Sequence, residues 1–180
     1  MRTTVVNMPE TAIQLGRFRT EYDPVEDRLR LIGEPIEKDR NTVSIWLTMR
    51  LTARLVPHLA KAVHGPKFRA SEHPSALHSF AQSAASSAIQ PTTAPIAPAQ
   101  PGVHFLPESL NITTRNNTLV VDFIDQQQNR IQLPLPNLMI RQWLSILLAS
   151  FKKANWPLNC FPEWIDPNKI TASGNTKAIH

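Results

Sequence analysis

Apolar and polar residues alternate along two stretches of the chain and recur every three to four residues just after each. Leu29 and Leu31 are set against Arg28 and Arg30, and Val43, Ile45 and Leu47 against Ser44. Further on, Leu119, Val121 and Phe123 are set against Asp122, and Ile131, Leu133 and Leu135 against Gln132. A period of two predicts strands with one buried face. The first stretch reads as strands over Phe18–Tyr22, Asp27–Glu34 and Thr42–Thr48, with a turn at Pro35–Asn41 and a helix from Met49 to His64. The second reads as strands over Leu110–Thr114, Thr118–Asp125 and Arg130–Leu135, with a turn at Gln126–Asn129 and a helix from Leu138 to Asn155.

Both stretches read β-β-β-α. The expectation is an α+β fold of two such halves, an internal duplication, with antiparallel sheets packed on two main helices. A half of this size with one helix buries little core, so the halves are expected to share one. Pro134 and Pro136 remove two N–H groups from the same side of the last strand, which predicts an edge strand there or a strand that leaves the sheet.

Residues 66–102 separate the halves and are rich in Ala, Ser, Pro, Thr and Gln. They hold too few large apolar groups to offset their ordering entropy, which predicts a disordered linker with at most a transient Ala-rich helix over residues 75–90. The domain reading is then a flexible N-terminus (1–17), a first half (18–65), the linker (66–102), a second half (103–168) and a flexible C-terminus (169–180).

Each helix has its own pattern. In the first, Arg50, Arg54 and Lys61 fall on one narrow arc beside Leu51, Leu55 and Leu59, and Pro57 predicts a kink or break. In the second, Met139, Ile140, Trp143, Leu144, Ile146, Leu147, Leu148 and Phe151 cover more than half the circumference. One sheet face cannot bury so wide an arc. The surplus calls for the first helix, the linker or a second copy, which makes Leu144, Leu148 and Phe151 candidate partner contacts and homodimerisation an expectation.

The chain has 180 residues and a net charge of +5, with no block of like charges. Its acids gather in the first hairpin region, at Glu21, Asp23, Glu26, Asp27, Glu34, Glu37 and Asp39, and neither helix carries one. Arg50, Arg54, Lys61, Arg141, Lys152 and Lys153 therefore form candidate anion- or nucleic-acid-binding faces, set against the plainer reading of solvated helix surfaces.

The sequence excludes several chemistries. Its five glycines are too scattered for a phosphate-cradling loop. A single cysteine, Cys160, permits neither an intramolecular disulfide nor a cysteine zinc site, and it reads as a structural thiol. His64, His73 and His78 have Glu72 as their one carboxylate neighbour in sequence, too few for an expected metal site. No run of about 18 apolar residues spans a membrane, and the start lacks a secretory apolar segment, so a cytoplasmic protein is expected. The leading functional expectation is a non-catalytic interaction or assembly protein that binds a protein partner or itself, without cofactor, metal or evident small-molecule substrate. Nucleic-acid binding through the helix faces stands second. An enzyme with a dispersed site stands third and requires a pocket that joins His58 or His104 to a carboxylate.

Overall fold

Two tight turns set the register of the strands. Asp23 accepts backbone hydrogen bonds from Val25 and Glu26 (2.9 and 3.1 Å) and Asp27 takes a positive φ of 48°, closing the first hairpin. Asn116 and Asn117 (φ 46° and 62°) close the corresponding turn further on, the conformation that Asn tolerates best after Gly. The computed structural model describes residues 12–65, 70–89, 96 and 104–166. In chain order these form β1 (Ile13–Asp23), β2 (Arg28–Pro35), β3 (Val43–Leu47), α1 (Met49–Ala62), α2 (Pro74–Ser87), β4 (His104–Phe105), β5 (Ser109–Arg115), β6 (Thr118–Ile124), β7 (Arg130–Leu135) and α3 (Asn137–Ala154). A 3₁₀ turn follows at Glu163–Ile165.

The fold is α+β, with one curled seven-stranded sheet in the order β4-β3-β2-β1-β7-β6-β5. β1, β2 and β3 form one antiparallel meander, and β5, β6 and β7 another. Parallel pairs extend them: β1 meets β7 at Ile13–Ile131 and Gln14–Gln132, and β4 meets β3 at His104–Ser44 and Phe105–Ile45. The sheet is thus mixed, where purely antiparallel pairing was expected. Its two outermost strands, β4 and β5, are separated in the chain only by residues 106–108, so the sheet curls until its ends come from one stretch of chain.

One sheet face carries Leu29, Leu31, Val43, Ile45, Leu47, Leu119, Val121, Phe123, Ile131, Leu133 and Leu135, all buried. They form a single cluster with the inner sides of α1 and α3. α3 lies on β1, where the Trp143 Nε1–H donates to Thr20 Oγ1 (3.0 Å) and the Trp143 ring meets Phe18 edge to face at 5.5 Å. α1 lies on β5 and against α3. After α3, Asn155 takes the left-handed conformation (φ 56°) and the Trp156 N–H returns to the Phe151 carbonyl (2.9 Å), a helix-ending motif in which Asn stands in for Gly. This turns Trp156 back onto the first hairpin. There its Nε1–H and the Tyr22 hydroxyl both donate to Asp27 Oδ1 (3.0 and 2.8 Å).

The structure departs from the sequence expectations in four places. β1 begins at Ile13, so residues 13–17 are strand, and residues 1–11 lie outside the described set. Within the stretch read as a disordered linker, residues 74–87 form α2, so the molecule has three α-helices; residues 66–69, 90–95 and 97–103 lie outside the described set. Of the kink or break expected at Pro57, the break does not occur: α1 continues through this exposed residue. β7, expected at an edge, lies between β6 and β1. The proline argument survives in altered form: β7 pairs with β6 along its whole length but with β1 only at Ile131 and Gln132, ahead of Pro134, and β1 then continues along β2.

Gly33 sits on the core face of β2 between Phe18 and Val43. A Cβ there would come within 2.6 Å of Leu15 Cδ1 and 2.9 Å of Cδ2, and Leu15 is fully buried. Gly33→Ala is expected to destabilise the fold by about 1–3 kcal/mol through overpacking. In a Leu15→Ala background the same change should cost less, because the new methyl group enters the vacated space; urea-denaturation midpoints of the four proteins check this.

Candidate binding site

Thr48 caps α1 by accepting the Leu51 N–H at its hydroxyl (3.2 Å). Thr52, Leu55, Val56, Leu59 and Ala60 face inward. The opposite side presents Arg50, Arg54, Pro57 and Lys61, all exposed. None of these three cations forms an ion pair among the described residues. Three acids of the first hairpin region pair with other cations. Glu34 meets Arg17 (3.2 Å), Glu21 meets Arg19 (2.9 Å) and Arg30 (3.7 Å), and Glu37 bonds Arg40.

The other predicted cations have different surroundings. Arg141 is 6% exposed, held between α2, α3 and the end of α1. Lys152 pairs with Asp166 (3.1 Å), and Lys153 is exposed. The six residues therefore do not make one basic surface: the α1 row stands, and Arg141 is withdrawn from solvent. The partner-contact candidates Leu144, Leu148 and Phe151 are 0%, 7% and 0% exposed, inside the chain's own core. The broad apolar arc of α3 is covered by the sheet, α1 and α2, so these three residues offer no outer surface to a partner.

α2 docks on α3 through polar groups. Gln82 Nε2 donates to the Arg141 carbonyl (2.8 Å) and to Ser145 Oγ (2.7 Å), and the Ser86 and Ser145 hydroxyls share a 2.5 Å hydrogen bond. Arg141 directs its guanidinium at the His78 carbonyl (3.5 Å), the Val63 carbonyl (3.4 Å) and His78 Nδ1 (3.2 Å), and lies over the Trp164 ring at 5.5 Å. The His78 ring stacks on Trp164 (4.8 Å) and against His64 (4.0 Å). Burial, reinforced by the nearby His64 and Arg141, lowers the His78 pKa to about 4. The imidazole is thus neutral at pH 7, with Nδ1 accepting from Arg141.

Beside this network lies an open cleft of about 630 Å³. α1 contributes Pro57, Ala60, Lys61 and His64, and the segment after α3 contributes Asn159, Cys160, Phe161, Pro162 and Trp164. His64 Nδ1 is hydrogen-bonded to the Ala60 carbonyl (3.1 Å), which orients the ring along the wall. Burial raises the Cys160 pKa and keeps the thiol neutral. A smaller groove of about 200 Å³ brings His104 near Glu26, with Arg28, Trp46 and Leu106. His104 Nδ1 there accepts the Trp46 indole N–H (2.9 Å). That groove is shallow and below the ~300 Å³ at which small-molecule sites begin. His58 is exposed on α1. No group of three or more His, Cys, Asp or Glu residues able to hold a metal occurs among the described residues.

The cleft and the α2 docking are the features that sequence reasoning missed. The second left a trace: His78, Gln82 and Ser86 recur every four residues, with Ala85 beside them, a polar stripe on an otherwise small-residue helix. The cleft left none, because it unites segments a hundred residues apart in the chain.

The depressed His78 pKa carries a direction for stability. Below its ordinary value of 6.5 the unfolded chain takes up a proton that the folded chain refuses until about pH 4. This contribution is fully present above pH 6.5 and is lost as pH falls toward 4. The urea midpoint of the native protein should fall more steeply over that window than that of His78→Gln; parallel profiles would contradict the assignment. No family model, no curated protein and no solved structure matches this chain.

Proposed function

We propose that this chain is a non-catalytic interaction protein that docks an acidic segment of a partner protein along the outer face of α1. The carrying observation is the row Arg50, Arg54 and Lys61: three exposed cations on one helix face, with no ion pair among the described residues. At ~1.5 Å of rise per residue the row spans ~17 Å, the length of a short peptide. Ala53 and Pro57 lie between the cations and hold no competing polar side chain.

A comparison within the chain supports the reading. At one constant spacing, the inward residues Thr52, Leu55, Val56, Leu59, Ala60 and Val63 of the α1 region correspond to Ile140, Trp143, Leu144, Leu147, Leu148 and Phe151 of α3, and all are buried. We read this, with the matching strand registers, as two β-β-β-α units of one duplicated design. At the same spacing, Arg141 and Ser145 of α3, where α2 docks, correspond to Ala53 and Pro57 of α1. One helix carries its covering segment within the chain, and on its counterpart no helix among the described residues docks at the half-buried Ala53 and exposed Pro57. An acidic partner fits that side by charge. The chain's own segment after residue 166 does not, since it carries Lys169 and Lys177 and no acid.

Nucleic acid is the competing occupant. It is disfavoured because Arg141 is withdrawn and Lys152 is paired, which leaves a short row rather than a two-helix basic face. Binding of a fluorescent Glu/Asp-rich peptide, duplex DNA and single-stranded RNA, each as a function of salt, separates the readings. The acidic peptide should bind, weaken as salt rises, and lose at least tenfold in affinity with the Arg50→Glu/Arg54→Glu double variant. Tighter binding of RNA or DNA, equally sensitive to that variant, would favour the nucleic-acid reading. A dimer on sizing that the same variant dissolves would make a second copy the acidic partner.

A further inference from the structure

We infer that the cleft between α1 and the segment after α3 is a binding site for a small organic anion: a carboxylate on a flat apolar body. Its volume of about 630 Å³ falls within the ~300–1,000 Å³ of small-molecule sites. Phe161 and Trp164, with the rigid rings of Pro57 and Pro162, give it apolar walls. Such walls favour a planar ring system over a flexible chain, since both sides lose little conformational freedom on contact.

Charge selects the sign of the ligand. Lys61 brings an ammonium group to the rim, and Asn159 adds an amide able to donate. None of the described residues that line the cleft is acidic; Glu163, exposed in the 3₁₀ turn, is not among them. The Cys160 thiol, the group in this lining that could become an anion, has its pKa raised by burial. An anion entering here meets a cation and a donor and no opposing charge. A neutral analogue leaves the ammonium unpaired, and a cation is repelled.

The walls are held in place. Trp164 is packed against the His78 ring and the Arg141 guanidinium, and Phe161 packs edge to face on Phe151 at 5.1 Å. The site is therefore formed before a ligand arrives, which lowers the cost of binding. The cleft shares Pro57 and Lys61 with the face read as docking an acidic segment; Arg50 and Arg54, which do not line the cleft, distinguish the two sites.

Cys160 is the chain's only cysteine, so its alkylation by iodoacetamide at pH 8.5 reports the cleft directly. 2-Naphthoate should slow that alkylation in a saturable way, and neutral 2-naphthalenemethanol should do so at least tenfold more weakly. Lys61→Gln should weaken naphthoate protection by about tenfold, as expected for loss of a charge-assisted contact. Asn159→Trp, which fills the cleft from an exposed position, should abolish it. Arg50→Glu/Arg54→Glu should leave it intact even where that variant loses the acidic peptide. Absence of protection at millimolar naphthoate, or equal protection by the alcohol, would overturn the inference.

Discussion

The apolar faces of both β-β-β-α segments have one place to go: a single core in which each segment's helix lies on the other segment's first strand. α3 rests on β1 through Trp143, Phe18 and Thr20, and α1 rests on β5. Neither meander keeps its own helix to itself, so neither can close its core alone. The parallel joints between β1 and β7 and between β3 and β4 are short and add little pairing energy; they place the two meanders so that the crossed packing can form. Asp27 secures the arrangement from outside by accepting hydrogen bonds from Tyr22 in its own hairpin and from Trp156 after the last helix.

The strands and the two long helices were legible because their signals are local. Leu29 and Leu31, or Leu119 and Val121, alternate with polar neighbours, and a period of two has one structural meaning at that length. The joins between segments were not legible. Ile13–Gln14 lengthens β1 beyond the alternating core of Phe18–Tyr22 where Ile131–Gln132 receives it on one side and Ile36 on the other. Pro134 carried real information about a missing ladder, but the sequence could not say on which side of the sheet another strand would lie.

α2 shows the opposite limit. Its composition argued for disorder, since His78, Gln82 and Ala85 are its buried residues and apolar bulk is small. It is held instead by donors and acceptors that find partners on α3: Gln82 on the Arg141 carbonyl and Ser145, and Ser86 on Ser145. Such bonds stabilise only where water is excluded from both sides, a property of the assembled fold and not of the segment. The same docking accounts for the wide apolar arc of α3 and for the burial of Arg141. It also brings His78 and Arg141 against Trp164 at the wall of the neighbouring cleft.

Native-state hydrogen exchange tests the single crossed core most directly. The slowest amides of β2, around Leu29 and Leu31, and those of β6, around Leu119 and Val121, should exchange with the same opening free energy and share the same dependence on low urea, because either meander exposes its apolar face only when both do. If one set opened with a free energy lower by more than about 1.5 kcal/mol, a tenfold difference in population, the two segments would be independently stable units and the account would fail.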